Sequence, residues 1–321
     1  MSLYRHRLPQ LQPGGALFLT EGGLETSLIY DDGLELPCFA SFVLLNDEAG
    51  TARLRGYYRR FAEMAAARGV GAVFETPTWR ASADWGARLG YDAAALDAVN
   101  RRGVALLVEL RESAAGRGGA PLVISGNLGP RGDGYVPGER MSADAARRYH
   151  AAQIASFAAT EADLVSVFTM NYVEEAVGIA LAAREHGMPA VVSFTLETDG
   201  RLPSGATLAE AIEATDAATD AWPAYYMINC AHPSHFERAL RENRGGWTLR
   251  LGGVRANASR LSHAELDAAI ELDAGDPQAL GADYVRLREA LPRLRVVGGC
   301  CGTDHRHVDA ICRALLAMPA G

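Results

Sequence analysis

The stretch Val296–His305, with the sequence VVGGCCGTDH, decides the fold and the site that we expect. The apolar run that leads into it, Leu294–Val297, predicts a short buried strand. After Asp304 the apolar residues recur at the spacing of an amphipathic helix, and Thr303 or Asp304 suits its N-cap. The two cysteines therefore lie on a glycine-lined turn between the carboxyl end of a strand and the amino end of a helix.

The placement of Cys300 and Cys301 favours metal binding. Thiols near the positive end of a helix dipole are expected to ionise more readily, and the thiolate is the form that binds metal. Adjacent cysteines do not readily form a disulfide with each other. Cys230 offers a third sulfur at the end of the apolar run Tyr225–Asn229. Three cysteines and an open fourth position are typical of a catalytic zinc; a structural zinc and three metal-free thiols are the alternatives.

These segments resemble the homocysteine S-methyltransferase family, which includes betaine, S-methylmethionine and cobalamin-dependent enzymes. The likeness rests on GGCCGT at Gly298–Thr303 together with Asn229-Cys230, and it extends over nearly the whole chain. It implies a single (β/α)8 TIM barrel domain over residues 1–321. It also implies that Cys230, Cys300 and Cys301 hold Zn²⁺, which activates the homocysteine thiol to take a methyl group from a sulfonium or betaine-type donor, giving methionine.

Length and composition are those of a soluble globular protein with one large domain or two modest ones. The chain has 321 residues, of which 49% are hydrophobic and 22% charged, and its net charge of −8 argues against a nucleic-acid partner. No apolar run approaches the roughly 18 residues of a membrane span, and the first twelve residues do not form a signal peptide. Five cysteines are too few for a disulfide scaffold, so we expect a cytoplasmic protein. Homo-oligomer formation stays open.

Short apolar runs alternate with longer amphipathic ones in eight strand–helix units. The predicted strands are Ala16–Thr20, Gly71–Glu75, Leu122–Ser125, Leu164–Phe168, Ala190–Leu196, Tyr225–Asn229, Thr248–Gly252 and Arg295–Val297. The predicted helices are Tyr57–Arg68, Ala93–Ser113, Ala143–Ala159, Val173–His186, Thr207–Ala217, Pro233–Asn243, Asp276–Leu291 and a terminal helix. This alternation predicts a closed parallel barrel, with an open doubly wound sheet as the alternative. The barrel is favoured because there are eight units and no GxGxxG follows the first strand.

Two strand-end segments supply candidate substrate ligands. Glu21, Gly22 and Gly23 follow the first strand, where glycines let backbone N–H groups approach a ligand. The resemblance implies that they bind the amino-acid end of homocysteine, although most of the family has Asp at position 21; a plain tight turn is the alternative. Thr76, Trp79 and Arg80 follow the second strand and match the family pattern except that Arg80 replaces an uncharged residue. A Glu75–Arg80 salt bridge is the alternative there.

Phe168 and Asn229 complete the predicted substrate contacts. The resemblance places a Glu that binds the substrate ammonium at the end of the fourth strand, where this chain has Phe168. A phenyl ring cannot pair by charge, although it offers a weaker cation–π contact. The departures at positions 80 and 168 therefore leave two alternatives: the same chemistry on another thiol or selenol acceptor, or a zinc-binding barrel without methyltransferase activity. With no cobalamin or folate module in this sequence, an S-methylmethionine-like sulfonium is the expected donor.

Other polar and cysteine residues carry weaker expectations. The loop Ser125–Asp133 resembles a family segment and Ser193–Thr195 resembles one closely, whereas Asn257 matches weakly. We expect the loop to bend over the pocket, with a plain turn as the alternative, and the hydroxyls of Ser193 and Thr195 to line the pocket, with packing behind it as the alternative. Glu174 and Glu175 are expected in solvent, and Cys38 and Cys312 as buried apolar residues. His232, His235, His305 and His307 are expected on helix surfaces, with a contact of His232 or His305 to a thiolate as the alternative.

Overall fold

A computed structural model describes residues 1–14, 16–114, 120–242 and 245–319. Its eight strands form a closed parallel barrel in which each strand pairs with its neighbours in sequence and β1 closes against β8. The strands are β1 (Phe18–Leu19), β2 (Gly71–Glu75), β3 (Leu122–Leu128), β4 (Leu164–Met170), β5 (Ala190–Phe194), β6 (Tyr225–Asn229), β7 (Leu251–Ala256) and β8 (Val296–Gly299). The prediction of a single-domain (β/α)8 barrel is confirmed.

Helices follow every strand. They are α1 (Leu24–Thr26), α2 (Glu48–Arg68), α3 (Ala83–Arg88), α4 (Ala93–Ala114), α5 (Ala143–Ala158), α6 (Val173–Glu185), α7 (Leu208–Thr219), α8 (Pro233–Glu242), α9 (His263–Ala268), α10 (Pro277–Ala290) and α11 (His305–Leu316). Short 3₁₀ turns cover Pro9–Leu11, Pro37–Phe39, Ser41–Asn46 and Gly246–Arg250, and a π turn covers Ser27–Asp31. Within the described residues, none of the helices combines the length and apolarity needed to cross a bilayer.

Alternate residues of the strands pack on opposite sides of the barrel wall. One buried cluster fills the barrel and includes Phe18, Val73, Val123 and Val296. The next residue of each of these strands joins a second cluster between wall and helices, namely Leu19, Phe74, Ile124 and Val297. Because both faces of such strands are buried, their sequences are continuously apolar rather than alternating.

Most element boundaries agree with the predicted ones to within a few residues, but α2 begins at Glu48 and not at the predicted Tyr57, and the seventh strand was misplaced. The prediction placed that strand at Thr248–Gly252, whereas β7 covers Leu251–Ala256 and Gly246–Arg250 forms a 3₁₀ turn. The glycine pair at 252 and 253 interrupts the apolar run and hides the true strand. Asn243, the predicted last residue of the helix after β6, lies outside the described residues.

Several predictions of exposure are wrong. Cys38 is exposed, because it lies in the surface turn Pro37–Phe39 with a left-handed backbone (φ 54°). Glu175 is buried and bonds to His150 Nε2 at 2.9 Å and to the backbone N–H of Arg131 at 2.8 Å. It therefore fixes the loop after β3, while Glu174 is exposed as predicted.

The helix histidines are also less exposed than expected. His232 and His307 are buried, and burial lowers the pKa of His232 to about 4. The Nδ1 atom of His307 accepts the backbone N–H of Asp304, and its Nε2 lies 2.7 Å from the carbonyl of Ala274. Asp304 caps α11, as one of the two predicted N-caps, and Cys312 is buried as predicted.

Candidate active site

Three cysteine sulfurs meet at the carboxyl end of the barrel strands. Cys230 follows β6, and Cys300 and Cys301 follow β8; their sulfurs all lie within 4.8 Å of one another. The Sγ atoms of Cys230 and Cys301 are 4.0 Å apart, whereas those of Cys230 and Cys300 are in disulfide contact, with their Cα atoms 5.5 Å apart. The predicted convergence of one sulfur from the sixth strand and two from the eighth is present.

Close backbone packing holds the cysteine turn in place. The N–H of Cys300 donates to the carbonyl of Ala256 at 2.8 Å, which ties the turn to β7. A Cβ on Gly23 would collide with the carbonyl of Cys300, and a Cβ on Gly22 would lie 2.8 Å from that of Thr303. The glycine pair after β1 is therefore explained by its approach to the cysteine turn. The Gly23 N–H already donates to Thr303 at 2.9 Å, so it is engaged within the protein.

The protonation of the sulfur site differs from the prediction. Burial raises the pKa of Cys301 to about 11, so desolvation outweighs any stabilisation of the thiolate by the following helix. The Tyr135 hydroxyl, from the loop after β3, lies 3.7 Å from the Cys301 sulfur and opposes this rise. The ring of Tyr135 stacks on His263 with centroids 3.9 Å apart. The metal-free site therefore keeps a thiol at neutral pH.

One cavity of about 410 Å³ opens above the sulfurs. Every residue that the sequence singled out as a metal or substrate ligand lines it, namely Glu21, Gly22, Gly23, Thr76, Trp79, Arg80, Phe168, Asn229, Cys230, Cys300 and Cys301. The carboxyl ends of parallel strands converge in a barrel, which explains how residues so far apart in sequence share one cavity.

Two of these residues use polar side-chain atoms in hydrogen bonds to neighbouring residues of the barrel. The Asn229 carbonyl oxygen accepts from Ser193 Oγ at 2.7 Å and from the backbone N–H of Thr169 at 2.9 Å. Its amide nitrogen donates to Thr169 Oγ1 at 3.0 Å and points at the Cys300 sulfur from 4.0 Å. Asn229 thus supports the left-handed backbone of Thr169 (φ 64°) beside the cysteines. Thr76 Oγ1 similarly accepts the N–H of Asn127 at 2.9 Å.

Arg80 is enclosed by aromatic rings. Its guanidinium carbon lies 4.0 Å from the ring centroid of Trp79 and 3.8 Å from that of Trp85, and one nitrogen donates to the Gly132 carbonyl at 2.9 Å. Burial lowers the pKa of Arg80 to about 10, and nearby acids oppose this. The alternative of a Glu75–Arg80 salt bridge is wrong, since these stacking contacts take Arg80 elsewhere.

An ion pair inside the barrel was not foreseen. Arg255 of β7 donates to Glu21 Oε1 at 2.8 Å, and both side chains are buried. The same guanidinium donates to the carbonyls of Gly299 and Gly22 at 3.0 and 3.1 Å. Its carbon lies 5.0 Å from the centroid of the Phe168 ring. Arg255 was not predicted because its strand was misplaced by several residues.

The cysteine cluster fits a zinc ion in donor type and in spread. Zn–S bonds of about 2.3 Å place tetrahedral sulfurs roughly 3.8 Å apart, close to the separation of Cys230 and Cys301. Cys230 and Cys300 have to be reduced before all three sulfurs can ligate. Within the described part of the chain, no other group of three His, Cys, Asp or Glu side chains approaches metal-binding distances.

The fold and the site define a (β/α)8 barrel enzyme with a cysteine-lined cavity at its strand ends. The family model for homocysteine S-methyltransferase matches residues 18–315, so the chain belongs to the homocysteine S-methyltransferase family and is a methyltransferase. None of the curated proteins compared with it matches.

Solved structures of one bacterial enzyme share the fold. They are crystal structures of the homocysteine methyltransferase MmuM from Escherichia coli, each 22% identical to this chain. The metallated form has a TM-score of 0.74 and covers 92% of this chain and 96% of its own. The apo form has a TM-score of 0.71 and covers 96% and 99%. At this identity the likeness supports the architecture alone.

Proposed function

We propose that this methyltransferase moves a methyl group from a small cationic donor, a sulfonium or betaine-type compound, to the thiol of homocysteine, giving methionine. The observation that carries the proposal is the convergence of three cysteine sulfurs within 4.8 Å at the cavity of a chain in this family. We propose Cys230, Cys300 and Cys301 as ligands of Zn²⁺, residues 1–321 as one domain, and a reducing location such as the cytoplasm.

Zinc in this site would supply Lewis-acid activation, keeping a coordinated thiol as its thiolate at neutral pH. The acceptor sulfur then forms the new S–CH₃ bond as the bond between methyl group and donor breaks, and the donor leaves as a neutral thioether or amine. No general base is needed for that step. The enzyme's main task is to align two bound reactants in the cavity.

The cavity walls suggest how the donor's positive charge is received. Trp79 and Phe168 present aromatic surfaces, which attract onium groups. A guanidinium already lies against each ring, Arg80 against Trp79 and Arg255 against Phe168. We propose that the donor contacts the remaining ring surfaces. The Tyr135 hydroxyl, 3.7 Å from the Cys301 sulfur, is placed to donate to a sulfur at the reaction centre.

A methyl-transfer screen tests the proposal, with several thiols combined with several donors and zinc-loaded protein. Cys301→Ala is expected to lose bound zinc and turnover together, because two sulfurs do not complete a catalytic site. Cys312→Ala is the matched control: this cysteine is buried on α11 outside the cluster, and the variant is expected to keep both. Turnover that persists in Cys301→Ala would contradict the assignment.

A further inference from the structure

The carboxylates that line the cavity differ in the ion pairs and hydrogen bonds that the protein offers them. Glu21 bonds to Arg255 at 2.8 Å, and the other donors of that guanidinium face the carbonyls of Gly299 and Gly22. Glu25, a further carboxyl in the cavity lining, accepts from Ser41 Oγ at 2.7 Å. These contacts give Glu21 an ion-pair partner and Glu25 a hydroxyl donor, although the Oε2 atom of Glu21 is also buried without a donor among the described residues.

Glu75 has no ion-pair partner among the described residues, and the side chains that hydrogen-bond to it are the hydroxyls of Ser125 and Ser166. It ends β2, lines the cavity and is only 2% exposed. Its Oε2 is buried and meets no hydrogen-bond donor among the described residues. The charged groups that face it are Glu21, which follows β1, and Arg255 of β7, so two acids share one cation. A buried acceptor without a donor is costly, which makes this oxygen a place where a bound ligand gains a contact.

Titration of Glu75 agrees with this geometry. Burial is the main cause that raises its pKa to about 8, the Glu21 carboxylate adds to the rise, and Arg255 opposes it. Hydrogen bonds from the hydroxyls of Ser125 and Ser166, which also bond to each other at 2.8 Å, lower it. A cation placed next to Glu75 would supply the missing opposite charge.

We propose that Glu75 binds the ammonium group of the amino-acid acceptor and so makes the cavity selective for thiols that carry an amino group. This inference rests on the proposed function. An ammonium fits better than the donor's onium group, because it brings N–H donors as well as charge, whereas a sulfonium or quaternary ammonium has none. Glu75 is thus a specificity-determining residue, and the acceptor class is an α-amino thiol acid.

Binding of two thiols that differ only in the amino group tests the inference. Calorimetry with zinc-loaded protein would compare L-homocysteine with 4-mercaptobutanoate. Wild-type protein is expected to bind homocysteine at least about tenfold more tightly. Glu75→Gln is expected to weaken homocysteine binding by about 10- to 100-fold and 4-mercaptobutanoate binding by less than about threefold, because only the first ligand loses a charge-assisted hydrogen bond.

Two further variants keep the test decisive. Glu25→Gln removes another cavity carboxyl and is expected to affect both thiols equally, and Glu75→Asp keeps the charge and is expected to recover part of the selectivity. Selectivity that survives in Glu75→Gln, or that disappears in Glu25→Gln instead, overturns the inference. Zinc content and melting temperature verify that each variant is folded. If wild-type protein binds neither thiol, the proposed function itself fails; if it binds both equally well, only the role of Glu75 is wrong.

Discussion

Replacing Glu75 by glutamine should change how the stability of the ligand-free protein depends on pH. The pKa of Glu75 is about 8 in the folded protein and about 4.5 in an unfolded chain. Between these values the folded state keeps the proton and the unfolded state loses it. The contribution of Glu75 to stability is therefore fully present below about pH 4.5 and is lost as the pH rises through 8.

The size of the effect follows from the same two values. Each pH unit in this window removes about 1.4 kcal/mol of unfolding free energy through one group. From about pH 5.5 to about pH 7.5, Glu75 therefore removes on the order of 2 to 3 kcal/mol from the wild-type protein. The amide in the Glu75→Gln variant cannot titrate, so the unfolding free energy of the variant, measured relative to wild type, should rise by that amount over the same interval.

Urea denaturation of zinc-loaded, thiol-free protein at both pH values measures the change. Glu174→Gln is the control, because Glu174 is exposed on α6 and this variant therefore removes a carboxylate that is not buried. Subtracting wild type from each variant cancels the titrating groups that do not interact with the substituted residue, whereas Glu21, which raises the pKa of Glu75, contributes to the difference for Glu75→Gln. A difference for Glu75→Gln that stays constant within about 0.5 kcal/mol would refute the claim that burial keeps this carboxyl protonated.

Two further predictions concern the frame around the cysteines. Arg255→Leu leaves the Glu21 carboxylate buried without its partner and should lower the unfolding free energy by about 3 to 5 kcal/mol in urea titrations, with much of the loss recovered in the Glu21→Gln, Arg255→Leu double variant. Gly299→Ala places a Cβ against the Thr303 side chain. This variant should lower the unfolding free energy by about 1 to 3 kcal/mol and reduce the zinc content. An unchanged melting temperature and metal content would show that the turn accommodates the added methyl group.

The barrel was predictable from the sequence because its strands are short continuous apolar runs between amphipathic helices. Gly71–Glu75 and Tyr225–Asn229 were predicted to the residue. The misplaced β7 shows the limit of this signal. Two glycines and a 3₁₀ turn break the apolar run there, and only pairing with β6 and β8 defines the strand.

The candidate site was predictable as far as the strand ends were. Residues that follow parallel strands share one end of a barrel, so the cysteines and the predicted substrate contacts were expected in one place. The partners within that place were not predictable. The alternative considered for Glu75 was a salt bridge with Arg80, five residues away, because a sequence shows only which charges are near one another along the chain. The pairing of Glu21 with Arg255 spans 234 residues and depends on the register of the closed barrel.

The substitution at position 168 gains a physical meaning from these contacts. Where the family resemblance led us to expect a carboxylate, the Phe168 ring covers the Arg255 guanidinium at 5.0 Å. A carboxylate at that position would compete with Glu21 for the same cation. With a ring there, Arg255 pairs with Glu21, and Glu75 is the acid without an ion-pair partner. The proposed binding of an ammonium group therefore depends on how many of the nearby carboxylates Arg255 neutralises. The residue at position 168 affects that binding because it determines which acids compete for Arg255.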